Sequence, residues 1–156
     1  MSKILPESAA TSLREKYAPE QIVFTNGCFD ILHVGHVRYL EAAKELGGRL
    51  VIGLNSDQSV QALKGVGRPI NDEADRAEVL AALAAVDHVI IFNEPRVTAL
   101  VKDLRPHIYA KGGDYTIDSL NPEELAAIHE VGAQIKLLPL VPGKSTTALL
   151  RAIQEK

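Results

Sequence analysis

One stretch of the chain decides its fold: Thr25-Asn26-Gly27-Cys28-Phe29-Asp30-Ile31-Leu32-His33-Val34-Gly35-His36. The apolar run Ile22-Val23-Phe24 leads into it as a buried strand would, and a helix pattern starts at Val34. A helix N-terminus carries unpaired backbone N–H groups and a partial positive charge, and it therefore attracts phosphate. The imidazoles of His33 and His36 add hydrogen-bond donors for oxygens that gain charge when a phosphorus atom is attacked. The stretch predicts a nucleotide-handling site at a strand-to-helix turn.

Strand and helix patterns alternate outward from this stretch to the end of the chain. Short apolar runs predict five strands, at residues 21–26, 49–54, 87–92, 107–111 and 134–138. Helix patterns follow them at residues 34–46, 71–85, 95–104, 122–131 and from Ser145 onward. Strands that are apolar throughout, each followed by a helix, indicate a parallel sheet that is covered on both faces. We therefore expect the α/β class, as a single doubly wound, Rossmann-like domain with a five-stranded parallel sheet and ligands at the strand carboxyl ends.

Two segments fall outside this regular alternation. A short helix is predicted at about residues 7–17, ended before Pro19, and we take residues 1–20 as an N-terminal helical extension to a domain over residues 21–156. Residues 56–70 lack clear periodicity. Within them Lys64-Gly65-Val66-Gly67-Arg68-Pro69 has the composition of a flexible loop.

The composition excludes several classes of protein. Of the 156 residues, 46% are apolar and 24% charged, a balance typical of soluble globular domains and not of disordered chains. The formal charge of −3 argues against sequence-independent binding of nucleic acid, which needs a basic surface. No apolar run is long enough to span a bilayer, and the N-terminus lacks a signal region. With a single cysteine there is no internal disulfide, so we expect a cytoplasmic protein that binds neither membrane nor nucleic acid.

Other patterns offer alternatives that the sequence weakens. Gly143-Lys144-Ser145-Thr146 resembles the end of a P-loop, but Leu138 stands where that motif needs its first glycine. His33 and His36 could instead be capping or packing residues, or metal ligands. Their three-residue spacing, with no third Cys or His nearby, is poor zinc geometry, and no metal site is predicted. Cys28 lies among apolar residues with no basic partner pattern, and we interpret it as a packing residue and not a nucleophile.

The stretch from Thr25 to His36 resembles the signature of the HxGH nucleotidyltransferase superfamily, which includes cytidylyltransferases and adenylyltransferases. Further matches extend the resemblance over residues 22–155, and they are Asn55-Ser56-Asp57, Leu63-Lys64-Gly65, Arg68-Pro69-Ile70-Asn71, Arg76, Lys111-Gly112-Gly113-Asp114-Tyr115 and Ser145-Thr146-Thr147. Together they are most similar to the adenylyltransferase domains that act on heptose 1-phosphate. The resemblance makes residues 21–156 a nucleotidyltransferase domain.

The resemblance also implies an activity. Such domains transfer AMP from ATP to D-glycero-β-D-manno-heptose 1-phosphate, which gives ADP-heptose and pyrophosphate for lipopolysaccharide core biosynthesis. ATP would be a substrate and Mg²⁺ would accompany it. The expected partners are these small molecules and a separate heptose kinase in the same pathway, and a homo-oligomer is left open.

The resemblance assigns roles to individual residues. His33, His36 and Lys64 would be catalytic, because they would hold the triphosphate and neutralise charge at the reacting phosphorus. Residues at strand ends and at the start of the last helix would bind the nucleotide: Thr25, Asn26, Gly27, Phe29, Gly35, Arg68, Lys111, Gly112, Asp114, Ser145, Thr146 and Thr147. Four others would bind the acceptor: Asp30, Asn55, Asp57 and Arg76.

Several of these residues also have structural explanations, and the sequence leaves both open. Lys64 and Arg68 are basic loop residues of a kind that is usually solvated, and Arg76 could form a salt bridge. Asp57 could cap a short helix, whereas Asp30 could fix the turn or orient a histidine.

The nucleotide and the acceptor have alternatives too. Glycerol-phosphate cytidylyltransferases carry an arginine five residues before Ser145-Thr146-Thr147, where this chain has Leu140. That departure favours ATP and a heptose. The alternatives are CTP with glycerol 3-phosphate, ATP with pantetheine phosphate, and a nucleotide-binding domain that has lost turnover.

Overall fold

A six-stranded parallel sheet forms the centre of the molecule in the computed structural model, which describes residues 2–113, 116–139 and 142–155. Its strands are β1 (Ile4–Pro6), β2 (Ile22–Gly27), β3 (Arg49–Asn55), β4 (His88–Phe92), β5 (Ile108–Gly112) and β6 (Gln134–Leu138). They lie in the order β1-β4-β3-β2-β5-β6, and every neighbouring pair is parallel. The predicted α/β class and parallel Rossmann-like sheet are confirmed.

The helices are α1 (Ala10–Lys16), α2 (Val34–Glu45), α3 (Asp57–Lys64), α4 (Glu73–Ala81), α5 (Thr98–Leu104), α6 (Pro122–Glu130) and α7 (Thr146–Gln154). Single 3₁₀ turns occur at Glu7–Ala9 and Ile117–Ser119. No helix among the described residues is both long and apolar enough to cross a membrane.

The expected number of five strands is wrong, because the N-terminal segment adds a sixth. Residues Ile4, Leu5 and Pro6 pair with Val89, Ile90 and Ile91 of β4 at the sheet edge. Pro6 is tolerated there because an edge strand needs only one row of backbone hydrogen bonds. The predicted opening helix is present as the 3₁₀ turn at Glu7–Ala9 followed by α1. The division of the chain at residue 20 stays a prediction.

Apolar residues cover the sheet on both faces and form two clusters. On one face, α1, α5 and α6 pack through residues such as Leu13, Leu100 and Ile128. On the other face, α2 and α4 pack through Leu40 and Leu80. This arrangement matters for the site, because helices from both faces begin near the carboxyl ends of the strands.

Residues 57–64, which lack clear periodicity in the sequence, form helix α3. Its N-cap is Ser56, whose side chain accepts a hydrogen bond from the Ser59 backbone N–H, and Asp57 is its first residue. Gly65 ends the helix with a positive φ of 89°, a conformation that favours glycine. The helix places Lys64 at its C-terminal end, next to the strand carboxyl ends.

Helix α4 begins slightly differently from the prediction. Its N-cap is Asp72, and its first residue is Glu73, two residues after the start of the predicted range. Ala77 and Leu80 are buried, whereas Val79 is 50% exposed. The helix is also shorter than predicted, so its apolar face covers only two turns.

The chain reverses direction across the sheet beside β2. Strands β3, β4 and β1 extend from β2 on one side, and β5 and β6 extend on the other. Segments leaving the carboxyl ends of β2 and β5 therefore diverge, and a crevice opens between them, as is typical of doubly wound sheets. The stretch from Thr25 to His36 lies at this crevice.

Candidate active site

A cleft of about 730 Å³ lies at the carboxyl ends of the strands. It is lined by most of the predicted site residues: Asn26, Gly27, Phe29, Asp30, His33, Gly35, His36, Asn55, Lys64, Arg68, Lys111, Gly112, Ser145 and Thr146. Segments separated by more than 100 residues in sequence thus meet at one place.

The two histidines form the N-terminal cap of helix α2. His33 Nδ1 accepts a hydrogen bond from the Gly35 backbone N–H at 3.0 Å, and His36 Nδ1 accepts one from the His33 backbone N–H at 3.3 Å. Since an imidazole nitrogen that accepts a hydrogen bond carries no proton, the remaining proton of each neutral ring lies on Nε2. The Nδ1 atoms therefore serve as helix caps, as one alternative had it. Each Nε2–H is left available as a hydrogen-bond donor.

Gly35 has to be a glycine because the His33 ring lies against it. A Cβ atom at position 35 would come within 2.7 Å of His33 Cε1 and 2.8 Å of His33 Nδ1. Any larger residue would push the ring out of its capping position. This contact explains why a glycine stands two residues after His33 in the motif.

Both histidines stay neutral over a wide pH range. Burial, the neighbouring His33 ring and Lys64 lower the pKa of His36 to about 4. Burial, followed by the charge of Lys144, also lowers the pKa of His33. The two ring centroids are 3.9 Å apart, a distance at which two imidazolium ions would repel each other. The pair can therefore serve as neutral hydrogen-bond donors at physiological pH.

Positive charge gathers around the histidine turn. Lys64 and Arg68 approach from the segment after β3, and Lys144 approaches from the segment before α7. Ser145 caps α7 by accepting from the Ala148 backbone N–H, and the Thr146 hydroxyl donates to the Ile31 carbonyl at 3.3 Å. This part of the cleft suits a polyanion.

Asp30 fixes the segment after α3 against the histidine turn. Its buried carboxylate accepts from the backbone N–H groups of Ile70 and Asn71 and from Arg68 Nε at 3.0 Å. Burial alone would raise the pKa of Asp30, but these hydrogen bonds outweigh it and lower the pKa. Asp30 therefore fixes the turn, and among the described residues its carboxylate makes no hydrogen bond or ion pair with a histidine.

Thr25 does not line the cleft, although it was expected to bind the nucleotide. It is fully buried, and its hydroxyl is 2.6 Å from the Tyr39 hydroxyl, which donates to the Ala110 carbonyl. Burial raises the pKa of Tyr39 to about 12, so the phenol remains a donor. The Tyr39 ring also packs on Gly112, where a Cβ atom would come within 2.8 Å of it. Thr25 therefore acts through Tyr39 on the position of Gly112.

Arg76 and Asp57 do not reach the cleft either. The buried Arg76 guanidinium donates to the carbonyls of Cys28, Asn55 and Asn71 and to the Asp57 carboxylate at 2.8 Å. These four bonds tie the ends of β2 and β3 to the start of α4. The salt-bridge alternative accounts for the guanidinium, and the acceptor-binding role expected for both residues stays a prediction.

The positions of three other predicted site residues give no direct support for ligand binding. Asn55 lines the cleft, but its amide donates to Ser59 Oγ at 2.9 Å. Thr147 is exposed and lies outside the cleft. Asp114 lies outside the described residues, as does Leu140, on which the preference for ATP over CTP depended.

The sequence pattern missed two parts of the cleft. Lys144 belongs to the rejected P-loop fragment, yet it lines the cleft beside His33. The starts of α5 and α6 contribute Arg96, Asn121 and Glu124, which carry no motif. Arg96 lies in the segment between β4 and α5, and Asn121 and Glu124 lie at the start of α6. Their positions after a strand and at a helix start were the only sequence signal that they would be near the cleft.

Cys28 lines the cleft but shows no sign of activation. Burial raises the pKa of its thiol, and the nearby Lys64, Arg76 and Arg68 only partly oppose that rise. Its interpretation as a packing residue is consistent with this environment.

Comparison with known proteins gives a family and several relatives. A family model described as Cytidylyltransferase-like matches residues 24–151. The chain is 49% identical over 142 residues to the bifunctional protein HldE of Pelobacter propionicus, an alignment that covers 91% of this chain and 29% of the relative. It is 52% identical over 134 residues to the protein of the same name from Magnetococcus marinus, with 86% and 27% covered. The chain thus spans less than a third of the length of these curated relatives.

Two solved structures share the fold. A lipopolysaccharide core biosynthesis protein from Thermoplasma volcanium superposes with a TM-score of 0.63 at 31% identity, over 78% of this chain and 97% of that one. A pantoate-beta-alanine ligase from Francisella tularensis superposes with the same score at 13% identity, over 99% and 77%. The second likeness concerns the fold alone.

Proposed function

This chain belongs to the cytidylyltransferase-like family of nucleotidyltransferases, and on that premise we propose that it transfers AMP from ATP to D-glycero-β-D-manno-heptose 1-phosphate. The products would be ADP-heptose and pyrophosphate. Support for the heptose comes from the motif resemblance over residues 22–155 and from the identity of about 50% to proteins named HldE. The activity would belong to the cytoplasmic part of lipopolysaccharide core biosynthesis, with a separate kinase supplying the sugar 1-phosphate.

The observation that carries the proposal is the fixed orientation of the two histidines. Each ring uses Nδ1 to cap helix α2, which leaves two Nε2–H donors beside a helix N-terminus. Neutral donors at fixed positions stabilise oxygens whose charge grows during reaction, and they need no reorganisation when it does.

The reaction needs charge stabilisation and alignment more than proton transfer. An oxygen of the acceptor phosphate, already anionic, attacks the α-phosphorus of ATP, and the bond to the bridging oxygen of pyrophosphate breaks in line. His33 and His36 would donate to the α-phosphoryl oxygens. Lys64 would neutralise charge shared by donor and acceptor, and Ser145 and Thr146 at the start of α7 would hold the departing phosphates.

Mg²⁺ would enter with ATP as part of the substrate. Among residues 2–113, 116–139 and 142–155, no group of three or more potential ligands could hold a metal. Asp30, the carboxylate next to the histidine turn, is already occupied by Ile70, Asn71 and Arg68. The described residues therefore offer no dedicated metal-binding cage, and phosphate and water would ligate most of the ion.

Pyrophosphate release tests the proposal. ATP and CTP are each supplied with D-glycero-β-D-manno-heptose 1-phosphate, glycerol 3-phosphate and pantetheine phosphate. We expect turnover with ATP and the heptose, and much less with CTP. Equal or faster turnover with CTP and glycerol 3-phosphate would contradict the assignment, and no turnover with any pair would favour a silent nucleotide-binding domain.

A further inference from the structure

One wall of the cleft has a chemistry that phosphate binding does not explain. Helices α5 and α6 pack on the sheet face opposite to that of α2, and their starts bring Arg96, Asn121 and Glu124 to the cleft. Glu124 is the notable member, since its side chain carries negative charge into a cleft built for polyanions and its residue is only 8% exposed. We call Arg96, Asn121 and Glu124 the α5–α6 wall.

The Glu124 carboxylate retains much of its hydrogen-bonding capacity. Oε1 accepts from the Val97 backbone N–H at 3.4 Å, which is long for such a bond. Burial lowers the pKa of Lys111, and Glu124 opposes that shift, so the two charges lie near each other at the cleft floor. An ionised carboxylate has about four acceptor positions. Acceptor positions remain for O–H groups of a ligand.

Donors lie next to this acceptor. The Asn121 side-chain oxygen accepts from the backbone N–H groups of Glu123 and Glu124, which leaves its NH₂ group as a donor. Arg96 is exposed, and within the described parts of the chain it makes no ion pair or hydrogen bond. The wall therefore offers both acceptors and donors within one surface.

A hydroxyl-rich ring fits this combination better than the other parts of the substrates. Each hydroxyl both donates and accepts, whereas a phosphate at neutral pH is mainly an acceptor and would be repelled by Glu124. The cationic side of the cleft, with His33, Lys64 and Lys144, suits the phosphates. The two sides together match a molecule with a phosphate at one end and hydroxyls at the other.

We infer that the α5–α6 wall binds the hydroxyl groups of the phosphorylated sugar acceptor, with Glu124 accepting from neighbouring hydroxyls and Arg96 and Asn121 donating. The inference rests on the proposed function, which supplies a sugar 1-phosphate as the acceptor. It names the residues that distinguish a sugar from an acceptor with fewer hydroxyls. The ribose of ATP is the competing ligand for the same carboxylate.

Glu124→Gln tests the inference, because it keeps the shape of the side chain and removes the charge. The matched control is Glu123→Gln, the same change on the same helix but outside the cleft. We expect kcat/KM for the sugar 1-phosphate to fall about 10-fold or more through KM, as loss of a charge-assisted hydrogen bond would cause. The ATP dissociation constant, measured by calorimetry, should stay within about twofold of wild type.

The outcomes distinguish binding of the sugar from binding of the ATP ribose and from no role in substrate binding. A parallel loss of ATP affinity would assign Glu124 to the ribose, and an acceptor KM equal to that of Glu123→Gln would remove it from substrate binding. Either result overturns the inference. If circular dichroism shows that Glu124→Gln is unfolded, Arg96→Gln replaces it, because Arg96 is exposed and has no hydrogen bond or ion pair with another described residue. The same rise in acceptor KM is then required.

Failure of the proposed function gives a different signal. Wild-type protein would then release no pyrophosphate with the heptose, whatever the variants do. In that case calorimetry with a non-hydrolysable ATP analogue and the sugar 1-phosphate decides the inference. Binding that weakens in Glu124→Gln but not in Glu123→Gln supports the wall as a sugar site, and no binding to the wild-type protein overturns it.

Discussion

At the scale of single residues, His33 and His36 each divide their two ring nitrogens between the fold and the ligand. Nδ1 accepts a backbone hydrogen bond that caps α2, and Nε2–H remains for the cleft. Either ring, if replaced, should therefore alter stability a little and chemistry greatly. A helix cap contributes about 1 kcal/mol, whereas a donor to transition-state charge contributes about 3 kcal/mol.

We expect His36→Ala to lower kcat by roughly 100-fold while the protein remains folded, because the donor it removes acts mainly in the transition state. Its unfolding free energy should fall by about 1 kcal/mol through loss of the cap. The control is His129→Ala, an exposed histidine on α6 that lies outside the cleft. Normal turnover combined with a lowered melting temperature would show that His36 is only a cap.

The pKa of His36 gives a pH prediction with a definite sign. Its folded-state pKa is about 4, below the usual value of 6.5, so between these values the unfolded chain binds a proton that the folded chain does not. Stability contributed by neutral His36 is therefore complete above about pH 6.5 and is lost as the pH falls toward 4. Urea unfolding of wild type and His36→Gln at several pH values measures this. The stability of the wild type relative to His36→Gln should fall steadily as the pH falls from 6.5 toward 4, and a constant difference would contradict the assignment.

Thr25 and Arg76 show what motif matching alone leaves open. Thr25 and Arg76 match the family pattern, yet one is bonded to Tyr39 and the other uses its guanidinium to join strand ends. A pattern records that a residue is required near a site, and it does not separate contact with a ligand from support of a neighbour. Burial separates the two, and burial of one polar side chain is not readable from the sequence.

At the scale of elements, the helices and strands with strong apolar periodicity were predictable, and the short polar ones were not. Strand β6 has the predicted bounds, and α2 begins at the predicted residue. Strand β1 has three residues that include a proline, and its pairing with β4 is a tertiary contact 85 residues away. Helix α3 was indicated only by Asp57 as a candidate cap, because residues 57–64 bury only Ser59 and Val60 and so carry little apolar periodicity.

Helix α3 and the glycines after it define how Lys64 reaches the cleft. Lys64 ends the helix, and Gly65 and Gly67 follow with φ values of 89° and 91°. We propose that this glycine-containing segment lets the ammonium approach the phosphates after ATP has bound.

Lys64→Ala should accordingly lower kcat more than it weakens ATP binding, because binding to the open cleft would depend mainly on the histidine turn and the start of α7. Gln61→Ala is the control, an exposed residue on the same helix outside the cleft. ATP affinity by calorimetry and steady-state rates are compared. A loss of affinity as large as the loss in rate would make Lys64 a ground-state phosphate ligand and would contradict the closing segment.

At the scale of the whole molecule, β1 protects one edge of the sheet while the site lies beside β2. The two regions are separated by β3 and β4. Stability and substrate binding should therefore be separable, since contacts at the edge do not reach the cleft. The parallel sheet and its crevice were predictable from the alternation of patterns. The wall built by α5 and α6 was not, because it depends on how two helices pack together on one face.

A chain that starts at residue 7 should lose roughly 2–3 kcal/mol of unfolding free energy, because Ile4 and Leu5 no longer pack against the two cores. The exposed edge of β4 should also promote self-association. ATP affinity should be unchanged. A chain that starts at residue 3 keeps β1 and serves as the control. Unfolding, light scattering and calorimetry measure the three quantities, and a loss of ATP affinity would show that the edge and the cleft are coupled.

The capping bonds of His33 and His36 have a consequence for water. Because each ring gives its only lone pair to the backbone, neither histidine can remove a proton from a water molecule or an unphosphorylated hydroxyl in the cleft. An open cleft filled with solvent would then hold ATP without hydrolysing it. The capping of α2 would thus protect ATP from hydrolysis until an acceptor binds whose phosphate oxygen is already negatively charged.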